Sequence, residues 1–258
     1  MIPIKDYNPT TRLPIVTILL IAVNVVVYFF VQPHYRPGDE AKFTFEHAAI
    51  PCEVVNGRPL ADDEIQTTLR SGNTNACAGN TPTSPPDFPD KSVYLAILYS
   101  MFLHGSLLHI GGNMLFLWIF GNNIEDVMGS VSYVGFYLLA GFVAAAAHIA
   151  VQPNSTVPVV GASGAIAGVM GAYLVLFPDV QIRTVLIFLF LFIRDIRAKY
   201  LLGFWFLLQF FTDQSSGVAW VAHVGGFVFG AIVAFFLRDR LRPRHPSWLP
   251  QVVPPELP

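Results

Sequence analysis

The chain is short of charge. Asp, Glu, Lys and Arg together make up 12% of its 258 residues, against roughly a quarter in an ordinary soluble domain. The net charge is only -2, which gives no basic surface for nucleic acid, so no nucleic-acid partner is expected. Cysteine is scarce as well. Cys52 and Cys77 are the only two, and both lie in one polar segment, where they either pair or stand as unrelated thiols. No H-E-x-x-H sequence occurs, so the commonest zinc-protease motif is excluded. No small-residue cleavage site follows the first apolar run, which is also too long for a signal-peptide core. That run is expected to be retained.

What the chain has in abundance is apolar sequence. Hydrophobic residues are 53% of the total and mean hydropathy is +0.54. The apolar runs recur along the whole chain, which indicates a multi-span membrane protein and not a soluble domain with one anchor. A polar lead, Met1 to Arg12, precedes a charge-free run from Leu13 to Val31, close to the ~20 residues that a spanning helix needs. Residues from Gln32 to about Lys91 are polar and turn-rich, and read as an extramembrane insertion, ordered only in part. Further spans are expected at Leu107–Phe120, Val131–Val151, Gly161–Phe177, Tyr200–Thr212 and Gly217–Leu237. Val185–Ile193 is apolar but about half the required length, and reads as an interfacial segment. A basic, Pro-rich tail, 238–258, follows.

The excess of Lys and Arg around Arg183 to Lys199 and in the tail sets the orientation. Both termini are expected in the cytoplasm, in the plasma membrane, with the insertion outside. The second, fourth and sixth spans then enter from the outer side, and five polar residues reach similar depth: His104, His109, Asn113, Ser163 and His223. Polar side chains in lipid are costly and usually face a bundle interior or a wet cavity.

Each has a bland alternative. Ser163 sits in Gly161-Ala162-Ser163-Gly164, and small residues of this kind are a common helix-packing device, as Gly164-x-x-x-Gly168 and Gly226-x-x-x-Gly230 also suggest. Serine becomes a useful nucleophile only beside a base. His223, in Ala222-His223-Val224-Gly225-Gly226, suits that task because imidazole titrates near working pH. His109 and Asn113 are four apart and share a helix face. With the Ser163 backbone N–H they form a candidate oxyanion group, and in a known case one such donor contributes about 3 to 4 kcal/mol. The alternative for these residues is interhelical hydrogen bonding alone. His104 is expected to brace the loop above the site, Asp213 to mark the membrane boundary with a third-member role as its alternative, and His148 to be structural.

Taken together, His104-x-x-x-x-His109-x-x-x-Asn113, Gly161-x-Ser163-Gly164 and Ala222-His223-x-x-Gly226 resemble the rhomboid intramembrane serine proteases. Glu125-x-x-x-Gly129 fits the same pattern. The resemblance implies an all-α membrane protein, a six-transmembrane-helix bundle spanning 13–237 with the insertion at 32–91 between its first two helices. It implies Ser163 as nucleophile, His223 as general base and acid, and His109 and Asn113 at the oxyanion, with His104, Gly161, Gly164 and Gly226 in support. Substrates would be single-span membrane proteins within the lipid bilayer, and no cofactor or metal would be needed. Two features depart from the pattern. Leu95-Ala96 replace a Trp-Arg pair common in the family, and Ala167 stands where some members place an aromatic beneath the base. A zinc transporter using the three motif histidines, and a non-catalytic client-binding relative, are the rival readings.

Overall fold

The computed structural model describes residues 1–34, 38–78, 81–187, 191–212 and 219–241. Helices dominate. In chain order they are α1 (Ile15–Val26), α2 (Asp39–His47), α3 (Pro51–Asn56), α4 (Asp62–Ser71), α5 (Leu95–Ser100), α6 (Leu107–Phe116), α7 (Asn122–Met128), α8 (Ser130–Val151), α9 (Ser163–Leu176), α10 (Ala198–Gln209) and α11 (Trp220–Leu237). A π turn extends α1 through Val31, and another joins α6 to α7. Helices α8 and α11 are each long and apolar enough to cross a bilayer. Ile15–Val31 and α9 are apolar but shorter.

Helix α9 is the axis of the bundle. Every residue from Gly164 to Tyr173 is buried, as expected of a helix that is apolar all round. Its glycines let neighbours come close. A side chain at Gly226 or Gly230 of α11 would collide with the carbonyl oxygen of Gly164 or Gly168, and one at Gly171 with that of Phe227. The two small-residue motifs are thus the contact between α9 and α11, which fixes the spacing of Ser163 and His223. On the other flank a Cβ at Gly164 would lie 2.6 Å from that of Ala144 on α8.

The start of α1 is held by a carboxylate from another element. Buried Glu125 of α7 accepts from the backbone N–H groups of Val16 and Thr17 at 2.9 and 2.8 Å, and from the hydroxyls of Thr17 and Ser130. It fills the place of an N-cap and complements the helix dipole. Four residues on, Gly129 turns the chain into α8 at a φ of 78°, a conformation that favours glycine.

The all-α expectation is corrected by a three-stranded antiparallel sheet in the order β1-β2-β3, formed by Ile2–Asp6, Gln181–Ile187 and Leu191–Arg197. Ile182 and Thr184 are buried while Arg183 between them is only partly so, the period-two pattern of a strand. Arg183 pairs across the ladder with Asp195, and the two form an ion pair at 3.2 Å. The region read as an interfacial segment is therefore a hairpin, and the polar amino-terminal lead supplies its third strand.

The insertion is more ordered than expected. Phe45, Ile50, Leu60 and Ile65 form a small core of their own. Cys52 and Cys77 are joined in a disulfide, which decides between the two alternatives for them. Lys91 and Glu53 make an ion pair with both side chains 2% exposed. Burial raises the Glu53 carboxyl and lowers the Lys91 ammonium, each opposed by the charge of the other.

Candidate active site

The loop before α9 is clamped from two sides. The Ala49 carbonyl accepts from Val159 N–H at 2.8 Å, Cys52 N–H donates to the Ser155 carbonyl at 3.0 Å, and Thr156 N–H donates to the Thr74 carbonyl at 2.8 Å. From the bundle, Ser100 accepts Gly161 N–H on its carbonyl at 2.8 Å, and its hydroxyl accepts Ala49 N–H at 2.6 Å. Loop and insertion thus hold the entry to α9 in a single geometry.

Ser163 is the first residue of α9, so its backbone N–H has no carbonyl one turn earlier within the helix. Its Oγ lies 2.8 Å from Nε2 of His223, which comes from the first turn of α11. His109 and Asn113 of α6 line the same cavity as this pair. A Cβ placed on Gly161 would sit 2.8 Å from His109 Nε2 and 3.6 Å from Asn113 Nδ2, so both polar atoms face the backbone just ahead of the serine. Gly161 adopts a φ of 122°, which adds a second reason for glycine there.

His104 lies in the loop before α6 and is fully buried. Its Nε2 accepts from Asn113 Nδ2 at 2.9 Å. Gln32 grips its backbone by two hydrogen bonds, to the His104 carbonyl and from its N–H, at 3.0 and 2.9 Å. His104 therefore braces Asn113 as well as the loop. Ser163, His223, His109 and Asn113 line one cavity of about 970 Å³, together with Thr74 of the insertion and Trp205 of α10. Buried His148 of α8 lines the same cavity. Among the described residues no three His, Cys, Asp or Glu side chains are grouped to hold a metal ion.

Two residues in contact with His223 were not singled out from sequence. The Gln209 Oε1 lies 2.8 Å from His223 Nδ1, and its Nε2 donates to the Trp205 carbonyl at 2.9 Å. The Trp205 ring packs beside His223 with centroids 5.9 Å apart. Ala167 offers His223 no ring from α9, and Trp205 of α10 supplies one. The available signal was a lone glutamine in an apolar run, four residues after a tryptophan and so on the same helix face. Asp213, weighed as a third member, lies outside the described residues, as do Gly217 and His245. His34 and His47 lie outside the cavity lining.

The Rhomboid domain family matches residues 91–240. Over 143 residues, 52% of this chain, the sequence is 32% identical to the presenilin-associated rhomboid-like protein, mitochondrial, of Mus musculus, covering 36% of that protein. It is 27% identical over 154 residues to rhomboid protein 1, mitochondrial, of Saccharomyces cerevisiae, and 31% identical over 144 residues to the rhomboid protease GluP of Bacillus subtilis. These cover 55% and 54% of this chain, and 42% and 25% of the relatives. The chain thus spans well under half the length of each. The mouse and yeast names point to a mitochondrial membrane and overturn the expected plasma-membrane location. Lys and Arg bias reports the side on which a loop lies, not which membrane holds it.

Proposed function

The chain belongs to the rhomboid family, and from that premise we propose that it is an intramembrane serine endopeptidase working through a Ser163–His223 dyad. The observation that carries the reading is the 2.8 Å approach of Ser163 Oγ to His223 Nε2 within a cavity that also presents His109 and Asn113. The proposed bundle has six spans: α1, the continuous α6–α7 rod, α8, α9, α10 and α11. It occupies residues 13–237 with the 32–91 insertion over the cavity, and residues 238–258 form a tail. A mitochondrial membrane is the location that goes with this reading, supported by the names of the mouse and yeast relatives.

In the proposed reaction Ser163 Oγ attacks a substrate carbonyl carbon while its proton passes to His223 Nε2. The carbonyl oxygen becomes an oxyanion, held by His109, Asn113 and the Ser163 N–H. Collapse breaks the peptide C–N bond, and His223 returns the proton to the leaving amine. Water then repeats the sequence on the acyl-enzyme and frees Ser163. No cofactor enters these steps. Substrates are single-span membrane proteins, entering from the lipid bilayer. Their scissile bonds lie where the helix unwinds, because a helical peptide bond is shielded by its own hydrogen-bond ladder.

A fluorophosphonate probe tests the nucleophile directly. Purified protein in detergent is expected to form one adduct, located at Ser163 by mass spectrometry and at least about 100-fold slower to form in His223→Ala. An adduct at another serine, or one indifferent to His223, would refute the dyad.

A further inference from the structure

Resting on the dyad reading, we propose that Gln209 is the third member of the catalytic chain: a neutral positioning residue that fixes the tautomer and the plane of His223. The hydrogen bonds around one side-chain amide set the proton positions. A backbone carbonyl can only accept, so the group that Gln209 presents to the Trp205 carbonyl is its NH₂, at 2.9 Å. The other end of the amide is then an oxygen, and it meets His223 Nδ1 at 2.8 Å. An amide oxygen can only accept, so Nδ1 carries the ring proton. Neutral imidazole has a single N–H, which leaves Nε2 as a lone pair aimed at the Ser163 hydroxyl 2.8 Å away. The chain Trp205 carbonyl, Gln209, His223, Ser163 therefore has one consistent direction, and it leaves His223 ready to take the serine proton.

The anchoring is built into α10. Gln209 is its last residue, 7% exposed, and the Trp205 carbonyl it bonds is one turn earlier on the same helix. The Trp205 ring packs beside the imidazole at a tilt, so one helix turn touches the base twice. A carboxylate in this place would also stabilise the imidazolium by charge. A neutral amide orients without that contribution, so its removal should cost less than the ~10⁴-fold seen when a catalytic aspartate is replaced.

The test compares Gln209→Leu with Gln209→Glu in cleavage of a single-span reporter, using detergent-purified full-length protein. Leucine keeps the volume but offers no acceptor. Glutamate keeps an acceptor for Nδ1–H. Positioning predicts a kcat loss of about 10- to 100-fold in Gln209→Leu with KM within about threefold, and recovery to within about fivefold in Gln209→Glu. Simple packing predicts the reverse order, with leucine tolerated and glutamate harmful, and that result overturns the proposal. Wild type and Ser163→Ala run alongside. Cleavage surviving Ser163→Ala would sink the protease reading itself, whereas an active Gln209→Leu beside an inactive Ser163→Ala sinks only the role of Gln209. If Gln209→Leu fails to fold, ¹⁵N NMR of histidine-labelled wild type decides. A proton on His223 Nδ1 is expected, and one on Nε2 overturns the assignment.

Discussion

At the scale of single residues, the site depends as much on an absent side chain as on those present. Gly161 leaves room for His109 Nε2, which a Cβ would meet at 2.8 Å, and it holds a backbone angle that suits glycine. Gly161→Ala is expected to lower kcat by roughly 10-fold or more, because the strained backbone and the displaced imidazole both disturb the oxyanion position. Steady-state kinetics on a single-span substrate checks this; unchanged kcat would place His109 outside the reaction. Ser163, His223, His109 and Asn113 were legible in the sequence because isolated polar residues in apolar runs are costly and need a reason. Gln209 was equally isolated but is not an acid, base or nucleophile, so residue chemistry alone did not single it out. Its role depends on which atom it faces, and no spacing rule gives that.

At the scale of elements, the apolar helices were legible and the sheet was not. Runs such as Val131–Val151 declare themselves by length and hydropathy, and α8 has those bounds to within a residue. The inner ends of β2 and β3 lie in one unbroken apolar run, Val185 to Ile193, which hides the strand period there. Strand β1 is five residues that pair with a partner some 180 positions away. Its last residue ties the sheet to the bundle: Asp6 Oδ2 accepts from Asn123 Nδ2 at 2.6 Å and from the Tyr173 hydroxyl at 3.0 Å. Burial raises the Asp6 carboxyl from 3.8 to about 6, outweighing those hydrogen bonds, which act to lower it. A carboxyl whose folded value is raised binds its proton more tightly when folded. Its stabilising contribution is therefore full below about pH 4 and is lost as pH rises through about 6, a swing on the order of 3 kcal/mol. Thermal melts in detergent should show this component falling between pH 4 and 7 in wild type and absent in Asp6→Asn. An identical pH profile in the two would show that Asp6 does not titrate in this window.

At the scale of the whole molecule, the proposed dyad, contributed by two helices, needs its backbones held close and its entry loop held still. The first is supplied by the glycines of α9 and α11, whose carbonyl contacts leave no space for a side chain. The second is supplied by the insertion, which hydrogen-bonds the loop ahead of Ser163 and adds Thr74 to the cavity wall. The sequence marked the insertion as polar and turn-rich, but its ordering rests on a disulfide, a buried ion pair and contacts with a loop roughly 80 to 110 residues away. Those are tertiary facts that composition does not carry. The central claim is that Ser163 and His223 together cleave membrane-embedded substrates, and it is tested most directly in liposomes with purified protein and a single-span reporter. Wild type should cleave, with or without chelator, while Ser163→Ala and His223→Ala should each lose at least about 10⁴-fold in kcat. Cleavage undiminished in Ser163→Ala would contradict the account.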